Sequence, residues 1–212
     1  MSDDIVRVPA LDLQCPLDRL QLFVGLSHGP GLFPRTTKLV TRGKYWHSKT
    51  RYGNGTDSDL VVEAQALRRD TSWRHPLRKL RGGVFWSRAG EHSRDGTDWY
   101  VVSCSAQQAR LALEIARGVG DPPYDWVALG RFGLIVRMIV GHDREPIWSR
   151  ARVICSELTL FDLQSAGIPV LSRVRPFRCA PQMFVHSELL RWWEGNAQPV
   201  DPWRSDTLLH TA

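Results

Sequence analysis

The stretch RARVICSELTLFDLQSAGIP, residues 150–169, places a cysteine where an apolar run gives way to a helical pattern. Its apolar side chains recur at helical spacing at Ile154, Leu158, Phe161 and Leu163. Gly167, followed by Ile-Pro, is typical of a helix end, so we expect an amphipathic helix with Cys155 in its first turn. The unpaired N–H groups at a helix start favour a thiolate. A lone cysteine is nevertheless more often a core residue than a nucleophile, so the role of Cys155 has to be inferred from other residues.

The composition is that of a soluble globular protein, with 212 residues, 42% of them hydrophobic and 24% charged. We expect one domain over residues 1–212, with a core at about 20–195 and a loose C-terminal tail. The four cysteines, which lack the short spacing of zinc and redox sites, are Cys15, Cys104, Cys155 and Cys179. The sequence therefore predicts no metal and no cofactor.

The N-terminus lacks the basic and apolar regions of a signal peptide, which predicts a cytoplasmic protein. A non-classical release route or attachment to a larger particle remains an alternative location. No window holds the roughly 18 uninterrupted apolar residues that a membrane span needs. The oligomeric state is left open.

Basic residues outnumber acidic ones, giving a net charge of +6. The densest basic cluster consists of Arg68, Arg69, Arg74, Arg78, Lys79 and Arg81. We interpret this cluster as a solvated loop and nucleic acid as an unlikely partner, while a non-enzymatic module that binds an anionic polymer stays open.

The coarse pattern predicts an α+β fold with a small antiparallel sheet packed against helices. A hairpin has strands near residues 44–49 and 60–65, joined by the turn formers of YGNGTDSD. GGVFWSR and DWYVVSCS read as two further strands, and residues 18–26 as a strand or a short helix. Helices are expected after the N-cap candidate Ser105, after Asp121, and over APQMFVHSELLRWWEG, residues 180–195.

One histidine stands out as a partner for Cys155. Of the seven histidines, only His47 lies inside a strand-like run, where its ring could be held firmly against a helix start. Glu63 lies in the next strand, and a hairpin would place it beside His47. A nucleophilic cysteine needs a histidine base, and the base needs an orienting acceptor. The pattern thus predicts Cys155, His47 and Glu63 as a catalytic trio.

The segments TRGKYWHS, LVVEA, PPYDW and VICSEL occur in this order along the chain. This order resembles the permuted papain-fold cysteine hydrolases, relatives of NlpC-type cell-wall peptidases, over about residues 39–181. The resemblance implies a circularly permuted papain-like domain with Cys155 as nucleophile, His47 as base and Glu63 as orienter. The sequence departs from the family pattern at Trp46, where a small serine is common, and in the basic insert 68–81.

The expected activity is that of a cysteine amidase or peptidase acting on peptidoglycan stem peptides or similar small peptides. Trp46, Tyr124 and Asp125 are candidates for lining the substrate groove. Tyr124 and Asp125 are equally well explained as a helix entry, with the carboxylate at the positive end. A lipid-directed thiol acyltransferase or thioesterase on the same scaffold is the enzymatic alternative.

Overall fold

The computed structural model describes residues 13, 15–28, 44–68, 81–92, 96–120, 154–176 and 179–194. Six antiparallel strands form one sheet in the order β4-β3-β2-β1-β5-β6. The strands are β1 (Gln21–Ser27), β2 (His47–Gly53), β3 (Leu60–Arg68), β4 (Arg81–Arg88), β5 (Thr97–Val102) and β6 (Leu190–Glu194). The helices are α1 (Ala106–Gly118) and α2 (Cys155–Ser165), with 3-10 turns at Leu17–Arg19, Ala89–His92 and Pro181–His186. The expected α+β class with an antiparallel sheet is confirmed.

The expected hairpin is present as β2 and β3, but β2 begins and ends later than residues 44–49. Its turn is organised by the buried carboxylate of Asp59. Oxygens of Asp59 accept hydrogen bonds from the backbone N–H groups of Asn54, Gly55 and Thr56. Arg51 Nε donates to Asp59 Oδ2 at 2.8 Å. This network satisfies the turn's donors and lets β2 continue to Gly53.

Side chains alternate between the two faces of the sheet, and the faces differ in chemistry. The helix-side face contributes to the main core Leu22, Val24, Leu26, Tyr52, Leu60 and Val62. From the helices this core receives Ala109, Ala112, Leu113, Leu158, Leu160 and Leu163. The opposite face carries a smaller cluster built on Phe23, Val61 and Trp99. By alternation, His47, Lys49, Arg51 and Glu63 belong to this second face, which we call the charged face.

Gly25 makes room for an aromatic ring on the charged face. It pairs with Lys49 on one side and with Trp99 on the other. A Cβ atom at Gly25 would lie 2.6 Å from the Trp99 ring. The Trp99 ring lies 5.8 Å from Lys49 Nζ and 5.2 Å from the Arg51 guanidinium carbon. The absence of a side chain at Gly25 therefore lets Trp99 cover two cations.

The predicted start of helix α1 after Ser105 is confirmed. Ser105 caps it, its side chain accepting from the Gln108 N–H while Gln108 Oε1 accepts from the Ser105 N–H. The expectation of an amphipathic α2 is wrong, although its start at Cys155 and the left-handed Gly167 beyond its end are as expected. Its buried residues point in all directions: Cys155, Ser156, Glu157, Leu158, Thr159, Leu160, Asp162 and Leu163.

The helix predicted over residues 180–195 is also wrong. The chain forms a 3-10 turn at Pro181–His186 and then the edge strand β6, which pairs with β5. Trp193 lies across the sheet edge with its ring centroid 5.5 Å from that of Phe23, in an edge-to-face arrangement. Strand pairing and aromatic contact, both non-local, override the helix-forming composition of this segment.

Among the residues described, no helix has the length and apolar character needed to cross a membrane.

Candidate active site

His47 and Glu63 meet on the charged face of the hairpin. His47 Nε2 and Glu63 Oε2 are 2.7 Å apart, and both side chains are buried. A carboxylate can only accept, so His47 Nε2 is the donor and Nδ1 is left for another partner. Within the described parts of β2 and β3, the strand pairs cover residues 50–52 and 60–62, short of both side chains. The predicted contact between His47 and Glu63 is confirmed.

The α2 helix brings Cys155 to the His47 ring. Cys155 is the first residue of α2, and the Ile154 backbone before it is extended. Its thiol interacts with the His47 side chain and with the backbone N–H groups of Ser48 and Ser156. Thr159 ties the two elements together, because its hydroxyl lies 3.1 Å from Ser48 Oγ and donates to the Cys155 carbonyl. The sulfur therefore lies between a helix start and the first residues of β2.

The surroundings of Cys155 and His47 favour the charged forms of both. Burial opposes ionisation of Cys155, but the imidazolium of His47 and the N–H groups of Ser48 and Ser156 lower the pKa of the thiol. Burial likewise opposes the charge on His47, but the Cys155 sulfur and the Glu63 carboxylate raise its pKa to about 9. A thiolate–imidazolium pair is the state that this geometry stabilises.

Glu63 is an anion despite its burial. Burial would raise the pKa of its carboxyl, but the hydrogen bond from His47 and the positive charge of Lys49 hold that pKa well below its ordinary value. His92 contributes in the same direction. An ionised Glu63 can both fix the His47 ring and stabilise its positive charge.

The segment before β2 is anchored on the helix side of the sheet. Asp98 is fully buried and accepts hydrogen bonds from Tyr45 Oη at 2.7 Å and from Lys44 Nζ at 3.0 Å. Gln182 Oε1 accepts from the backbone N–H of Lys44 at 2.8 Å. These contacts fix the chain where it enters β2, and they thereby fix the position of His47.

Of the three residues expected to line the substrate groove, the structure describes only Trp46. The Trp46 ring packs against His47, with ring centroids 5.3 Å apart and a 30° angle between planes, and Trp46 is half-buried. Trp46 thus lies beside the site, and its role in substrate binding stays a prediction. Tyr124 and Asp125 lie outside the described residues.

The other cysteines contrast with Cys155. Burial raises the pKa of Cys104 to about 11. Burial and the neighbouring charge of Cys155 raise the pKa of Cys179 well above its ordinary value. Burial also raises the pKa of Cys15. Of the four thiols, all described by the structure, only Cys155 is shifted toward the thiolate.

Sequence reasoning missed a second set of polar residues behind Glu63. Lys49 Nζ lies 2.9 Å from His92 Nδ1, and Ser87 Oγ lies 2.8 Å from His92 Nε2. His92 Nε2 is 3.6 Å from Glu63 Oε1. Lys49 could have been found, because two positions after His47 on a strand means the same face. His92 lies in the polar segment AGEHSRDGT, whose sequence carries no signal of this contact.

Comparison with models of known protein families and with curated proteins finds no match. Among the described residues, no group of three or more His, Cys, Asp or Glu side chains could hold a metal ion.

Proposed function

We propose that this chain is a cysteine hydrolase that cleaves amide bonds through Cys155, His47 and Glu63. The observation that carries the proposal is the combined geometry of the trio. A thiol at a helix start has its pKa lowered by a histidine, and that histidine is held at 2.7 Å by an ionised glutamate. The proposed architecture is a circularly permuted papain-like domain, which the order histidine strand, glutamate strand, cysteine helix supports.

The reaction follows from the charge states of the trio. The Cys155 thiolate attacks the amide carbonyl, a C–S bond forms, and the carbonyl electrons move to the oxygen. The oxyanion would be held by backbone N–H groups at the start of α2, among them that of Cys155. The oxyanion collapses, the C–N bond breaks, and His47 gives its proton to the leaving amine. Water, deprotonated by His47, then attacks the thioester carbonyl. The C–S bond breaks, the carboxylic acid product leaves, and the thiolate–imidazolium pair is restored.

The proposed substrate class is a small peptide, such as a peptidoglycan stem peptide. This part of the proposal depends on the resemblance of the motif order to NlpC-type peptidases. The enzymatic alternative, transfer or hydrolysis of an acyl thioester, uses the same nucleophile and is separated from amide cleavage by the choice of substrate.

The test measures the alkylation rate of each cysteine by iodoacetamide between pH 5 and 9, read by mass spectrometry of peptides. An ordinary thiol, with a pKa of about 8.5, is only about 0.3% thiolate at pH 6. We expect Cys155 at pH 6 to react at least about tenfold faster than such a thiol, and faster still than Cys104. In His47→Ala this advantage disappears, because the imidazolium that stabilises the thiolate is gone.

His186→Ala is the matched control, since His186 is exposed at the end of the 3-10 turn Pro181–His186. It should leave the Cys155 rate unchanged. Peptides that contain D-amino acids should then be cleaved by the wild type and not by Cys155→Ala, while acyl thioesters test the alternative. Labelling of Cys155 no faster than labelling of Cys104 would rule the hydrolase out.

A further inference from the structure

Behind the trio lies a buried group of polar residues that the proposed reaction does not itself use. It consists of Lys49, Ser87 and His92, and it faces the Glu63 oxygen that His47 does not occupy. Lys49 is only 1% exposed and His92 only 7%. Burying an ammonium group is costly unless a compensating negative charge lies near, so the buried position of Lys49 needs an explanation.

The pattern of donors assigns the protons in this group. An ammonium group has three donors and no acceptor, so His92 Nδ1, 2.9 Å from Lys49 Nζ, must accept. His92 is then a neutral ring that carries its proton on Nε2. That N–H donates to Ser87 Oγ at 2.8 Å, and the same ring nitrogen lies 3.6 Å from Glu63 Oε1. Lys49 thereby fixes the tautomer of His92, which places the positive end of the His92 N–H dipole near Glu63.

The charges of the extended group balance. In the reactive state, Cys155 and Glu63 are negative, while His47 and Lys49 are positive. Without Lys49, the same buried site would carry an excess negative charge, which a low-dielectric environment disfavours. The titratable groups that act on Glu63 among the described residues are His47 and Lys49 from β2 and His92 from the turn after β4.

We propose that Lys49 and His92 form a positioning pair that keeps Glu63 ionised and oriented toward His47. The inference rests on the proposed function, because Glu63 matters to catalysis only through His47. Neither Lys49 nor His92 takes part in the steps of the proposed reaction. Their effect reaches Cys155 through Glu63 and the charge of the His47 ring.

The test follows the carboxyl carbon of Glu63 by NMR in full-length protein labelled with 13C-glutamate, with the signal assigned by its loss in Glu63→Gln. In the wild type, the Glu63 signal should stay at its ionised position down to pH values where ordinary glutamates are protonated. In Lys49→Met, its titration midpoint should rise by at least about one pH unit, since a buried opposite charge has been removed. Lys49→Arg, which keeps the charge, should restore most of the wild-type behaviour.

Arg110→Met is the matched control. Arg110 also donates to a carboxylate, but that carboxylate is Glu114, which is exposed on α1. The Glu63 signal should therefore titrate in Arg110→Met as in the wild type. If Lys49→Met does not fold, His92→Gln replaces it, because it removes the ring acceptor of Lys49 and should raise the Glu63 midpoint by a smaller amount.

A second readout connects the pair to the thiol. At pH 6, Cys155 alkylation should fall several-fold in Lys49→Met and recover in Lys49→Arg, because a Glu63 that the pair no longer holds orients the His47 ring less firmly toward the thiol. A folded Lys49→Met or His92→Gln protein whose Glu63 midpoint equals that of the wild type overturns the positioning pair. If wild-type Cys155 is unreactive, the proposed hydrolase fails instead, and the Glu63 titration still decides whether the pair holds this charge.

Discussion

Two buried carboxylates on opposite sides of the sheet are held in opposite charge states. Glu63 on the charged face is 2% exposed and has a lowered pKa, because Lys49 and two histidines lie around it. Asp162 on α2 is fully buried beside Tyr52, and burial raises its pKa well above the ordinary value. Burial alone therefore produces a neutral acid, whereas a buried anion able to serve a histidine needs positive charge and hydrogen-bond donors around it.

Neutralising Glu63 should have the largest effect on the stability of the fold. Glu63→Gln keeps the shape of the side chain but leaves the positive charges of Lys49 and His47 without their anion. We expect a loss of about 3–5 kcal/mol in the free energy of unfolding, as for other broken buried ion pairs. Urea denaturation measures the loss. An unchanged unfolding midpoint would show that the charged face does not depend on Glu63.

Removing apolar volume on the helix side should cost less and leave the chemistry intact. Leu163 is fully buried in the main core, so Leu163→Ala should destabilise the fold by about 3 kcal/mol. The pH dependence of Cys155 alkylation should stay that of the wild type. Leu111→Ala is the control, because Leu111 is 44% exposed and should change stability by less than about 0.5 kcal/mol. A changed Cys155 profile in Leu163→Ala would mean that packing in the main core affects the thiolate–imidazolium pair.

The smallest expected change in stability is a gain, and it comes from replacing Asp162. The folded chain retains the Asp162 proton at pH values where the unfolded chain has lost it, so the stability contributed by Asp162 decreases as pH rises above about 3.9. Asp162→Asn removes this dependence and should stabilise the fold by about 1–3 kcal/mol at pH 7. The gain should vanish near pH 4. Urea denaturation at both pH values checks this, and equal gains at both would contradict a neutral Asp162.

The elements with local signals could be predicted from the sequence. Turn formers indicated the β2–β3 hairpin, Ser105 indicated the start of α1, and an apolar run indicated the start of α2 at Cys155. The contact between His47 and Glu63 followed from the hairpin alone. The catalytic role of the trio stays a prediction.

The remaining features depend on contacts between distant parts of the chain. Strand β6 forms because residues 190–194 reach strand β5 and pair with it, which composition does not reveal. The all-round burial of α2 reflects elements packed on several of its sides. His92 reaches Glu63 because a 3-10 turn after β4 folds back toward the strand beside it. Sequence periodicity carries no information on such a turn.

The close approach of Gly25 and Trp99 has a consequence for the dielectric environment of the neighbouring strand. Because Gly25 has no side chain, the Trp99 ring can lie over the strands that carry Lys49 and Arg51. An aromatic cover keeps water from these cations and so weakens the screening of their charges. A larger residue at Gly25 would displace the ring and admit solvent. The glycine at position 25 thus determines how strongly solvent screens the charge of Lys49.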